Sequence, residues 1–127
     1  DVIIVPPQPE AAPGAMGDAA AMWATPLTDF ASQGGVLLFL VHGQSSAELL
    51  TATDFLGEVT VAAEPMQSLV ISSWIDALSV GVLSPFASSH NTFSVTAIGP
   101  ADPMQQVVVS TTAGAPVVVH RVLAPTP

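Results

Sequence analysis

Residues 91–123 read NTFSVTAIGPADPMQQVVVSTTAGAPVVVHRVL, and this stretch decides the fold class. Three β-rich runs, 91–98, 105–111 and 116–123, are separated by the stretches GPADP and AGA. Valine, isoleucine, threonine and phenylalanine fit a pleated, half-buried surface, whereas glycine, proline and aspartate make turns. The pattern predicts an antiparallel meander and, with it, a mainly β body of sandwich or barrel-like form.

Working upstream, Glu58–Glu64 (EVTVAAE) alternates as a half-buried strand does, and Pro65 ends it. Residues 66–83 carry two periods. Met66, Leu69, Val70, Trp74, Ala77 and Leu78 lie on one helical stripe, yet Leu69-Val70-Ile71 before two serines is strand-like; the reading is strand pieces with a bend near Asp76. Ser45-Ser46-Ala47-Glu48 fits a capping box, and Leu49, Ala52 and Leu56 recur at helical spacing before Gly57, which predicts a helix over 46–56. Val36 to Val41 is too short for an independent helix and reads as a strand buried on both faces. Residues 17–24, GDAAAMWA, predict a short helix that stops before Pro26.

The first fifteen residues, DVIIVPPQPEAAPGA, place an apolar tetrad ahead of Pro6, Pro7, Pro9 and Pro13. Proline fixes its own φ, lacks an amide donor and holds its predecessor extended, so this segment is expected to be an extended arm. Its partner-binding residues would be Val2, Ile3, Ile4, Val5, Pro6 and Pro7, pairing as a strand on a neighbour or on the chain's own sheet. The expected organisation is an arm at 1–15, one β-rich domain at 16–123 with one or two short helices, and a tail at 124–127.

A chain of 127 residues suits one domain. Half its residues are hydrophobic and 9% are charged, so intrinsic disorder is a poor account. Ten acidic residues face a single basic one, Arg121, for a net charge of −9. Direct nucleic-acid binding is thereby excluded as an expectation, because phosphate affinity comes from Lys and Arg. An anionic membrane surface is disfavoured for the same reason. Val36–Val41 falls far short of the roughly 20 residues needed to cross a bilayer, and 66–83 contains Gln67, four serines and Asp76, so no membrane partner is expected. There are no cysteines. The chain opens on Asp1 rather than Met, which fits N-terminal processing or an omitted leader, and no signal peptide is visible.

Residues 36–47, VLLFLVHGQSSA, resemble the strand and His-Gly turn that supply oxyanion donors in α/β-hydrolases, with His42-Gly43 in the matching place. That family also requires a G-x-S-x-G elbow, and the chain contains none. His42, His90 and His120 lack the spacing of a metal-ligand pair, and Ser88-Ser89-His90-Asn91 reads as a turn. The acids are scattered without a calcium-loop pattern. Trp23 and Trp74 are expected in the core. The reading is therefore a non-enzyme with no catalytic residues, no cofactor and no metal.

Mean hydropathy of +0.60 in so short a chain implies apolar ground left on a monomer's surface, and such ground marks association. A homo-oligomer follows. With its arm, β body and lack of any reaction motif, the chain resembles the small decoration, or cement, proteins of tailed-virus capsids. In that class a compact β-rich protein, often trimeric, sits where capsomers meet, and a terminal arm adds a strand to the coat protein. The resemblance implies a homotrimer, the major capsid protein as partner, and a place on the virion exterior. The alternative is a secreted or surface-displayed β-sandwich binding module, extracellular, with Trp23 or Trp74 as its ligand platform.

Overall fold

Parallel strands need a long crossover, and the chain supplies one at its start. In the computed structural model, which describes residues 1–88, 92–99 and 102–123, β1 (Val2–Val5) pairs in parallel with β2 (Val36–Phe39). Helix α1 (Ala15–Ser32) makes the crossover, and α2 (Gly43–Thr53) follows β2. Of the two pairings expected for the N-terminal segment, the one on its own sheet is observed. Beyond it, residues 6–14 carry the chain into α1 through turns in which the Ala11 and Ala15 amides donate to the Gln8 and Ala12 carbonyls.

α1 continues to Ser32, past its expected end before Pro26. Proline removes one amide donor, but Pro26 and Met22, whose carbonyl loses that donor, both lie on the exposed side of the helix. The opposite side holds the helix in place: Ala20 is fully buried, and Gly17 lies against the Glu48 side chain of α2. Gly34, at φ +92°, turns the chain out of α1, and a side chain on Gly35 would strike the Phe30 ring.

α2 begins three residues earlier than the predicted 46 and ends at Thr53, where Asp54 takes a left-handed conformation at φ +58° in place of the expected stop at Gly57. His42 is the N-cap, and its backbone N–H donates to Ser46 Oγ at 2.8 Å. Glu48 does not close the expected capping box; its carboxylate accepts from the Gly14 N–H at 3.0 Å, at the start of α1.

The rest of the chain is β3 (Glu58–Ala63), β4 (Ser68–Ile71), β5 (Phe86–Ala87), β6 (Phe93–Ile98), β7 (Gln105–Thr111) and β8 (Pro116–Arg121). The fold is thus mostly β with two helices, as the sequence predicts. β7 and β8 form the expected antiparallel hairpin within a sheet of order β5-β4-β7-β8. β6 departs from the predicted meander and pairs with β3, because Val95 joins Val59 and Leu50 in a core completed by Phe39, Val41, Leu56 and Val61. A second core, Leu69, Val108 and Val109 with Phe86 and Val117, lies on the four-stranded sheet. The ambiguous 66–83 segment resolves as β4 and a 3-10 turn at Ala77–Ser79 that Asp76 caps.

Val36–Val41 is not buried on both faces. Val36, Leu38 and Leu40 are exposed, because among the described residues the sheet they belong to has two strands and is covered on one side.

Candidate interaction surface

Side chains on a strand alternate between faces, and β1 and β2 divide accordingly. Val5 and Phe39 turn inward and line a small pocket with Pro7, Leu49 and Leu50. The other face presents Val2, Ile4, Val36 and Leu38, which are 60%, 58%, 55% and 46% exposed. The register sets Val2 beside Val36 and Ile4 beside Leu38, so the four make one continuous uncharged patch. Of the six residues expected in a partner-binding arm, Val2, Ile4 and Pro6 face outward, while Ile3, Val5 and Pro7 are partly covered by the body.

The sheet is open at its edges as well, since β1 and β2 pair only with each other among the described residues. The ladder runs through the carbonyls of Asp1 and Val5, which accept from the amides of Val36 and Leu40, both at 3.0 Å. Backbone alternation then aims the peptide groups of Val2 and Ile4 at the free edge. All-parallel sheets ordinarily have both faces covered, and an exposed apolar edge strand is a template for further pairing.

A second apolar surface lies on the loop from Ser72 to Leu83. Trp74, Ile75, Leu78, Val80, Val82 and Leu83 are all exposed there, Ile75 at 90% and Leu83 at 85%. Its one charged residue, Asp76, is turned inward with its side chain 3% exposed. Asp76 Oδ2 pairs with His120 Nδ1 at 2.7 Å, and Oδ1 accepts from the Leu78 N–H at 2.9 Å. Those two hydrogen bonds, the histidine's first, hold the Asp76 carboxyl below the ordinary carboxylate range.

The expected core positions of Trp23 and Trp74 are corrected, since both are exposed. His42 serves as a helix cap, its ring 4.6 Å from that of Phe93. Ser88 is buried and its hydroxyl accepts from the Gln67 N–H at 2.9 Å, while Ser89, His90 and Asn91 lie outside the described residues. Among the described residues no cluster of three or more His, Asp or Glu side chains is placed to hold a metal.

A shallow cleft opens at the carboxyl ends of β1 and β2, lined by Pro9, Pro13, His42, Gln44, Ser45 and Glu48. Crevices at this place in parallel sheets commonly take ligands. Here Glu48 is already engaged as a cap for α1, and Ser45 Oγ is buried without a partner among the described residues. Sequence reasoning found the residues of β1 through their apolar run, but it missed the 72–83 loop as a surface, because its residues also fit a buried stripe. Comparison with protein-family models, with curated proteins and with solved structures finds no match.

Proposed function

We propose that this chain is a non-enzymatic structural protein that works by assembly, docking the β1–β2 sheet against sister copies and a larger scaffold. The bare apolar face and open edges of that sheet carry the reading. Strand addition at β1 would supply main-chain hydrogen bonds, and the Val2, Ile4, Val36 and Leu38 side chains would supply apolar area. The protein's accessible surface is 7648 Å², against about 6,300 Å² for a compact monomer of this mass.

The setting that size, composition and β-rich form favour is a capsid-type shell, with a trimer of this chain as a decoration protein and the major capsid protein beneath it. Many weak contacts would then sum to lasting attachment through multivalency. Native mass spectrometry tests the core of this reading. Wild-type protein should appear as an oligomer, and Ile4→Asp combined with Leu38→Asp should shift it to monomer with the fold intact, since both side chains are about half exposed. An oligomer unchanged by the double substitution would remove the β1–β2 face from the mechanism. Purified shells from the same source that retain wild type and the double variant equally would remove the scaffold.

A further inference from the structure

We propose that the Asp76–His120 pair is an acid-released latch, which holds the 72–83 loop against β8 in neutral solution and frees it when Asp76 is protonated, while the strands stay paired. The inference is independent of what meets the β1–β2 sheet and rests on how little else holds the middle of the loop. From Trp74 to Leu83 the buried residues are Asp76 and Ser79, and every apolar side chain in that run is exposed, so no apolar core anchors it. Ser79 is tied within the loop, its hydroxyl donating to the Asp76 carbonyl at 2.7 Å. The serines at the two ends are tied to the sheet: Ser72 Oγ meets Ser110 Oγ at 2.7 Å, Ser73 Oγ donates to Gln106 Oε1 at 3.4 Å, and Ser84 Oγ accepts from the Ile71 N–H at 3.1 Å. Between those ends, the one hydrogen bond among the described residues that reaches another element joins Asp76 Oδ2 to His120 Nδ1 at 2.7 Å.

That bond titrates, and the other ties of the loop do not. Asp76 Oδ1 accepts from the Leu78 N–H at 2.9 Å, so the ionised carboxylate is an acceptor through both oxygens. These two bonds, the histidine's first, hold the carboxyl below the ordinary carboxylate range; the latch is therefore complete above that range and is lost as pH falls through the lower folded value. Protonation leaves a neutral acid facing the ring and ends a charge-assisted hydrogen bond. No other acid or base competes for Asp76 from the surrounding strands, since β4, β6 and β7 contain no Asp, Glu, Lys, Arg or His, and Asp76 is the loop's one titratable group. On β8, Arg121 follows His120 and so points to the other face, where it pairs with Asp102 at 3.0 Å and donates to the carbonyls of Asp54 and Phe55. Carbonyl acceptors do not titrate, so that junction keeps β8 in place while the loop is released.

Limited proteolysis of the dilute full chain by an acid-active protease such as pepsin tests the proposal, with the cleavage rate inside 74–83 divided by that of a free peptide of the same sequence to remove the enzyme's own pH profile. As Asp76 titrates, followed by NMR of its carboxyl carbon, this ratio should rise by about fivefold or more, while circular dichroism and the amide protection of 105–111 hold. At a pH above the ordinary carboxylate range, Asp76→Asn and, separately, His120→Leu should be cut faster than wild type by a similar factor, and the three proteins should converge in acid. His120 is 40% exposed, so its replacement keeps the test available if the Asp76 variant does not fold. A ratio that stays flat through the titration of Asp76 would overturn the proposal. So would cleavage that rises only together with loss of protection in 105–111, or a His120→Leu protein cut no faster than wild type at the higher pH.

Discussion

Asp76 keeps a carboxylate inside the protein by engaging both oxygens, one with the His120 ring and one with the Leu78 N–H. Its pKa is lowered in the folded state, so its contribution to stability is fully present above its unfolded value of about 3.9 and is lost as pH falls through the lower folded value. Asp76→Asn should therefore lower stability by about 1 kcal/mol at neutral pH, the histidine being partly exposed, and the deficit should shrink in acid. Urea titrations of both proteins between neutral pH and acid check this; a deficit that grows in acid would contradict the assignment. Arg121, the one basic residue, joins β8 to the chain after α2 through the carbonyls of Phe55 and Asp54, and it pairs with Asp102 at 3.0 Å. Arg121→Met should cost about 1–3 kcal/mol in the same assay. Neither partnership was legible in the sequence. Asp76 and His120 are 44 positions apart, and nothing in local pattern reports which distant side chains a fold will bring together.

At the scale of elements, the sequence located most strands and mistook how some are covered. The β7–β8 hairpin and β3 followed from alternation and turn residues, which are local signals. The pairing of β6 with β3 is set by a shared core across more than thirty residues, and no local period encodes it. Helix α1 outran its proline because packing against α2 outweighed one missing hydrogen bond. Val36–Val41 shows the same limit: an apolar run reports that a strand forms, not that both of its faces find cover. Two leucine substitutions separate these meanings. Leu50→Ala, in the first core, should cost about 2–5 kcal/mol, whereas Leu38→Ala, at 46% exposure, should cost under about 1 kcal/mol in dilute monomer. Thermal melts at low concentration distinguish them, and equal losses would mean that β2 is buried within a single copy.

For the whole molecule, two surfaces gather more than half of the exposed large apolar side chains among the described residues. One is the outer face of β1–β2 and the other is the 72–83 loop. The apolar tetrad assigned to the arm forms β1, and the sequence is silent on its division between faces, since Val2 and Ile4 are outward only because β2 fixes the register. The account as a whole turns on whether the β1–β2 sheet is covered when copies meet. Hydrogen exchange of the amides in 2–5 and 36–39, followed across protein concentration with 105–111 as an internal reference, measures this directly. The account predicts that exchange in the first two segments slows as concentration rises while the reference stays constant. Exchange in 2–5 and 36–39 that is fast and independent of concentration would contradict it.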